Sequence, residues 1–130
     1  MKIQHKILVC STCACVWQNG KRVGMSGGQK LLEELTQQSQ NWLHSSEFTI
    51  ESVECMSACS HACVIAFTSP GKFAYLFGDL NYDVDNLSAT STAVLECASL
   101  YCQKPDGNIP RSERPEALKR GIIARIPSYL

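Results

Sequence analysis

Two short segments rich in cysteine constrain this chain more than any other feature of its sequence. The first runs from Cys10 to Cys15 and the second from Cys55 to Cys63, and together they hold six of the eight cysteines. Each segment directly follows a stretch with the pattern of a β-strand. If the two strands end at the same edge of one sheet, both sets of thiols meet there. The pattern therefore predicts a single metal centre.

The composition is typical of an ordered globular protein. Hydrophobic residues make up 45% of the 130 residues, which is enough apolar material for one hydrophobic core. The longest apolar runs fall far short of the roughly 20 residues that cross a bilayer, and no signal-peptide core is present. We therefore expect one domain over residues 1–130, in the cytoplasm and without a membrane partner. In that compartment, clustered cysteines more often bind metal or do thiol chemistry than form structural disulfides.

The charges are balanced overall but unevenly distributed. Formal net charge is zero, with an excess of acids over residues 47–106 and an excess of bases over residues 107–130. This asymmetry is either ordinary solvated surface or a means of steering a charged partner protein. No basic run is interleaved with aromatic residues, so a nucleic-acid partner is not expected.

Four segments have the pattern of β-strands. Residues 6–9 and 64–67 are short apolar runs, while residues 47–54 alternate between polar and apolar side chains. Residues 73–77 form the fourth strand. They follow a turn at residues 69–72 in which proline fixes one corner and glycine adopts a positive φ at the next.

Two helices are predicted between and after these strands. Residues 16–28 are predicted to form a loop. Ser26 and Gln29 fit a capping box at the start of the helix that follows it. The first helix then places five large apolar side chains on one side, namely Leu31, Leu32, Leu35, Trp42 and Leu43. Asp83 is the expected N-cap of a second helix that reaches about Tyr101. In the tail, Pro115 opens a short helix and Gly121 closes it with a glycine cap.

The predicted order is β-α-β-β-β-α followed by a tail. The first two strands are parallel neighbours joined through the first helix, and the last two form an antiparallel hairpin. We therefore predict an α/β protein with a mixed four-stranded sheet and helices on its faces, which is the thioredoxin-like arrangement. Residues 103–130 are expected to pack on this domain as a C-terminal extension.

The chemistry of the cysteines admits several interpretations. Four thiolates suit either a 2Fe–2S cluster or a structural zinc ion. Cys10 with Cys13 or Cys15 would form one pair of ligands, and Cys55 with Cys59 the other. The alternative is that the cysteines are small buried core residues. That alternative is the preferred one for two cysteines of the second helix, Cys97 and Cys102.

A further interpretation is thiol–disulfide exchange by Cys10 and Cys13, which are spaced as C-x-x-C after the first strand. Such chemistry favours a cysteine at a helix N-terminus, whereas here a long loop separates the pair from the first helical pattern. Cys63 is an alternate ligand or a bystander. His61 lies near the cysteines, either as a loop residue or as a replacement ligand that would raise the reduction potential.

The motifs as a whole resemble a known family. The resemblance rests on the segment Val9 to Cys13, the segment Glu54 to Cys63 and the segments Pro70 to Asp79 and Glu113 to Pro127. These stretches look like the thioredoxin-like 2Fe–2S ferredoxins, and most closely a small bacterial family of predicted metal-binding proteins of unknown function.

The resemblance implies a cluster bound by four cysteines, namely Cys10, Cys13, Cys55 and Cys59. The C-x4-C spacing of a related respiratory subunit would instead make Cys15 the second ligand. A protein of this kind is a redox carrier for electron transfer or redox sensing and not an enzyme. We expect it to work with a redox partner protein. Whether two chains form a homodimer stays open.

Overall fold

The structure is a computed structural model that describes residues 5–11, 16–24, 26–54, 63–83 and 85–127. Its strands are β1 (His5–Cys10), β2 (Val16–Gln18), β3 (Lys21–Val23), β4 (Phe48–Val53), β5 (Ile65–Thr68), β6 (Ala74–Phe77) and β7 (Ile122–Ile126). Its helices are α1 (Gly27–Ser39) and α2 (Leu87–Gln103). Short 3-10 helices cover Ser45–Glu47, Arg111–Glu113 and Glu116–Leu118. The main sheet has the order β4-β1-β5-β6-β7, and β2 pairs with β3 alone.

The first strand lies inside the sheet between β4 and β5. It is parallel to β4, as the sequence predicts, and antiparallel to β5, a pairing that the sequence pattern did not specify. Ile7, Val9 and Cys10 are buried, which matches the short apolar run from which the strand was predicted. The parallel pairing makes β1 and β4 end at the same edge of the sheet.

Helix α1 begins where the capping box was predicted. The Gln29 amide donates to Ser26 Oγ at 3.0 Å, and the Ser26 amide donates to Gln29 Oε1 at 3.0 Å. Leu31 and Leu35 are fully buried against the sheet core. The helix ends at Ser39, however, so Leu43 does not share its apolar side and is 86% exposed.

The hairpin of β5 and β6 confirms the prediction for the middle of the chain. The Lys72 amide donates to the Ser69 carbonyl at 3.2 Å, and Gly71 has φ +77°. These features define the turn that Pro70 and Gly71 predicted. Phe67, Tyr75 and Phe77 are buried and their rings pack together in the core, with ring centroids 5.5–5.6 Å apart.

Helix α2 starts later than predicted. Its N-cap is Asn86, not Asp83, and Asp83 instead accepts the Asn86 amide through its own carbonyl in the preceding turn. The helix packs against α1 and buries Val94, Ala98 and Tyr101. Asp83 therefore belongs to the turn that precedes the helix and is not the N-cap.

The tail contributes a fifth strand, so the prediction of four strands was one too few. Pro115 does precede a 3-10 helix, but Gly121 is not its cap, since it lacks a positive φ. A Cβ on Gly121 would lie 2.2 Å from the Gly78 carbonyl oxygen, and the Gly78 amide donates to the Gly121 carbonyl at 2.6 Å. Glycine is needed here because two backbones meet, and the chain then pairs with β6 as β7.

The predicted loop over residues 16–28 also contains the short ribbon of β2 and β3. Asn19 and Gly20 connect the two strands with positive φ angles of 52° and 78°. Two consecutive residues of positive φ are typical of a tight hairpin turn. Among the described helices, none has the length and apolar character that crossing a membrane requires.

Candidate metal centre

Cys10 is the last residue of β1 and lies at the edge where β4 also ends. It is paired in register with Val53, the last residue of β4. The Ser11 amide donates to the Val53 carbonyl at 2.8 Å, so the parallel pairing continues one residue past Cys10. The second cysteine segment follows Val53 by two residues. The described residues that precede both cysteine segments therefore lie side by side.

Cys63 brings the end of the second cysteine segment to the same edge. The Cys10 amide donates to the Val64 carbonyl at 3.1 Å, which joins the residue after Cys63 to the end of β1. Cys63 is itself held by Leu80, since the amide of each residue donates to the carbonyl of the other at 3.3–3.4 Å. The structure thus brings together Cys10 and Cys63 among the predicted site residues.

Both of these thiols are shielded from water. Cys10 is 1% exposed and Cys63 is fully buried. Burial, with a smaller contribution from the neighbouring Cys10, raises the pKa of Cys63 to about 12. In the absence of a nearby cation, Cys63 is therefore a neutral thiol at physiological pH. A thiolate at this position requires a positive charge such as a metal ion beside it.

The start of α1 packs directly onto the backbone of Cys10 and Ser11. A Cβ on Gly28 would lie 1.9 Å from the Cys10 carbonyl oxygen, and the Ser26 hydroxyl donates to the Ser11 carbonyl. The long loop in the sequence therefore does not keep the helix away from the first cysteine. The positive end of a helix dipole at this edge favours an anionic centre.

The remaining predicted ligands lie outside the described residues. These are Cys13, Cys15, Cys55 and Cys59, together with the neighbouring His61. The choice between Cys13 and Cys15 as second ligand therefore stays a prediction.

The two cysteines of α2 differ from each other. Cys97 is fully buried, which confirms its expected place in the core, and burial raises its pKa to about 12. Cys102 is only half-buried, and its pKa is raised by burial and by the nearby Glu47 carboxylate. Of these two, only Cys102 has a surface-accessible environment.

Cys102 belongs to a second cluster that the sequence did not reveal. His44 Nδ1, a Glu47 carboxylate oxygen and Cys102 Sγ all lie within 4.8 Å of one another. His44 Nδ1 and Glu47 Oε2 are 2.7 Å apart, and this hydrogen bond lowers the pKa of Glu47. The cluster lies beyond the start of β4, at the opposite end of the sheet from Cys10. Only the three-residue spacing of His44 and Glu47 could have suggested it.

The fold places the chain in the thioredoxin-like class, and solved structures support this. It is similar to the structure of a thioredoxin-like 2Fe–2S ferredoxin from Aquifex aeolicus, with a TM-score of 0.55 and 13% identity over 98% of each chain. The crystal structure at 1.5 Å of the wild-type thioredoxin-like 2Fe–2S ferredoxin from the same organism has a TM-score of 0.54 and 14% identity, covering 93% of this chain and 97% of that one. The predicted fold class is confirmed.

Residues 7–128 match the family model described as "Protein of unknown function (DUF1636)". The chain therefore belongs to that family. No curated protein matches it.

Proposed function

We propose that this protein binds one 2Fe–2S cluster and serves as an electron carrier or redox sensor. The cluster would lie at the Cys10 edge, which is the edge of the sheet where β1 and β4 both end. Cys10, Cys13, Cys55 and Cys59 would hold the cluster, with Cys15 and Cys63 as alternates. The cluster, when bound, supplies reversible one-electron chemistry. The proposal includes a redox partner protein and a cytoplasmic location.

The observation that carries the proposal is the register of Cys10 with Val53 at the common end of β1 and β4. A cluster with four thiolate ligands needs two pairs from separate segments. The described residues that lead into both cysteine segments are neighbours in space, so short connections can supply both pairs. The likeness to thioredoxin-like ferredoxins supports the same assignment.

The surroundings of Cys10 fit such a group. The strand end holds the Cys10 main chain through hydrogen bonds on both sides, from Ser11 to Val53 and from Cys10 to Val64. The start of α1 supports the same backbone and directs its positive end toward the edge. These contacts support the proposal of Cys10 as one ligand, because they hold its backbone in place and favour negative charge beside it.

Two alternatives use the same cysteines. A zinc ion held for a structural or trafficking role would need four of them in tetrahedral geometry. Thiol–disulfide exchange would use Cys10 and Cys13, but an attacking thiol must be accessible, and Cys10 is 1% exposed. That burial favours a ligand over a nucleophile.

Anaerobic purification followed by iron, sulfide and zinc analysis tests the proposal. We expect a brown protein with about two irons and two sulfides per chain and an EPR signal on reduction. A colourless protein with stoichiometric zinc would replace the electron carrier with the zinc alternative. Disulfide reductase activity that is lost in Cys13→Ser would favour the exchange alternative.

Matched serine variants test the ligands. Cys59→Ser should lose most of the visible absorbance, while Cys97→Ser should keep it, because Cys97 lies in the core of α2. Equal losses in both variants would contradict the assignment. Separate Cys13→Ser and Cys15→Ser variants identify the second ligand of the first segment.

A further inference from the structure

We propose that His44, Glu47 and Cys102 form a second metal site, which takes a divalent ion of the zinc type. The site is independent of the cysteine segments and lies at the opposite end of the sheet. An imidazole nitrogen, a carboxylate oxygen and a thiolate sulfur are the three donor types that zinc takes in proteins.

The spacing of the donor atoms suits such an ion. All three lie within 4.8 Å of one another. Tetrahedral zinc with bonds of about 2.0–2.3 Å places its ligand atoms about 3.3–3.6 Å apart. On binding, the sulfur would move closer to the other two donor atoms, and the His44 and Glu47 atoms would move slightly apart. The ion would take the place of the hydrogen bond between His44 Nδ1 and Glu47 Oε2, whose atoms are now 2.7 Å apart.

Neighbouring contacts hold the three ligands in place. The Glu47 amide donates to the His44 carbonyl at 2.9 Å, which fixes the turn that carries both residues. The Trp42 indole packs edge-on against the His44 ring, with centroids 5.7 Å apart, and donates from Nε1 to Ser99 Oγ at 3.0 Å. Ser99 precedes Cys102 by three residues and so lies on the same side of α2. Trp42 thus connects the histidine turn to the helix that carries the thiol.

The last turn of α2 is held by a buried lysine. Lys72 Nζ donates to the carbonyls of Tyr101 and Cys102, each at 3.1 Å, and lies 2.9 Å from His5 Nε2. Lys72 and His5 are the basic groups that face the cluster from neighbouring strands and turns, and both interact with the Glu47 charge. The Cys102 thiol would release its proton to solvent when the ion binds, and the carboxylate and the thiolate would then supply two negative charges for a divalent ion. The positive charge of Lys72 near Glu47 and Cys102 is expected to lower the affinity for a divalent ion.

The ion has a route from solvent. His44 lines an open groove of about 470 Å³ between the end of α1 and α2, with Trp42, Leu95 and Ser99 in its walls. Glu47 is 41% exposed at its side chain. Three protein ligands leave a fourth position for water from the groove.

Zinc counting on the full chain tests the proposal. Wild type, Cys102→Ala, Glu47→Gln and the control Cys97→Ala are each incubated with Zn²⁺, passed through gel filtration and analysed for zinc, iron and sulfide. Wild type and Cys97→Ala should retain one more zinc per chain than Cys102→Ala and Glu47→Gln. With Co²⁺ in place of Zn²⁺, a thiolate-to-cobalt charge-transfer band should be lost in Cys102→Ala. The same amount of zinc in Cys102→Ala and wild type would overturn the proposal, as would extra zinc that binds only at millimolar concentration.

The same samples also show whether each variant folds and whether the Cys10 edge holds a cluster. Glu47→Gln changes a partly exposed side chain, so it tests the site even if Cys102→Ala folds poorly. Zn²⁺ should raise the Tm of wild type and Cys97→Ala but not that of Glu47→Gln. Iron and sulfide report on the Cys10 edge separately. The zinc difference between variants is therefore expected even if the Cys10 edge holds no iron.

Discussion

The thiols at the two ends of the sheet are surrounded by different kinds of residues. At the Cys10 edge, Cys10 and Cys63 lie side by side, buried among strands and under the start of α1. At the other end, Cys102 is half-buried beside an imidazole and a carboxylate. Sets of four thiolates suit iron–sulfur clusters or structural zinc, whereas mixed nitrogen, oxygen and sulfur donors do not suit iron–sulfur clusters of the ferredoxin type but do suit zinc. The neighbours of a thiol, more than the thiol itself, decide which metal chemistry it enters.

The ends also differ in how the backbone is used. At the Cys10 edge, main-chain hydrogen bonds and the close contact of Gly28 hold the end of β1. At the opposite end, side chains hold one another, with Lys72 anchoring the helix end through Tyr101 and Cys102. Substitutions should therefore act on one end at a time.

The largest effect is expected for Gly28→Ala. The new Cβ would lie 1.9 Å from the Cys10 carbonyl, so α1 or the end of β1 must shift. Overpacking of this kind costs about 2–3 kcal/mol. We expect a fall of that size in the free energy of unfolding, measured with urea, together with loss of visible absorbance.

An exposed position of the same helix provides the control. Gln37→Ala should leave both stability and colour unchanged, since Gln37 faces solvent. Zinc retention at the His44 end should persist in folded Gly28→Ala. A Gly28→Ala protein as stable and as brown as wild type would contradict the close contact between α1 and Cys10.

Lys72→Met should disturb the opposite end. It leaves the carbonyls of Tyr101 and Cys102 without their buried donor, at a cost of about 2 kcal/mol. In the folded variant, zinc should bind more tightly, because a positive charge near Glu47 and Cys102 has been removed. Urea unfolding and Zn²⁺ titration measure the two effects.

A surface lysine serves as the matched control. Lys104 forms an exposed salt bridge with Glu113 at 3.0 Å, so Lys104→Met should cost less than about 1 kcal/mol and leave zinc binding unchanged. If Lys72→Met weakens zinc binding while remaining folded, the lysine supports the site in a way that its charge does not explain.

Sequence patterns predicted the features that depend on neighbouring residues. Ser26 and Gln29 predicted the start of α1, and Pro70 and Gly71 predicted the hairpin turn. The apolar run ending at Cys10 predicted the strand that delivers the first thiol. These signals are reliable because the same few residues both specify the conformation and satisfy its hydrogen bonds.

Features that join distant parts of the chain were missed. Gly121 resembles a helix cap in sequence, and only its contact with Gly78 shows that it brings β7 beside β6. The cluster of His44, Glu47 and Cys102 joins residues more than fifty positions apart. Of the proposed cluster ligands, the described residues include Cys10 and the alternate Cys63, so the full ligand set stays a prediction.

The smallest expected effect separates Cys97 from Cys102, which the sequence treated alike. The pKa of Cys97 is raised to about 12, so the folded state keeps a proton that the unfolded chain loses above about pH 8.5. Stability therefore falls as pH rises, and this thiol accounts for about 1 kcal/mol by pH 9.5. Cys97→Ala should remove that part of the decline in urea unfolding between pH 8 and 9.5. Cys102→Ala should remove less, because its thiol is only half-buried. Equal changes would show that Cys102 is a core thiol and weaken its assignment as a ligand.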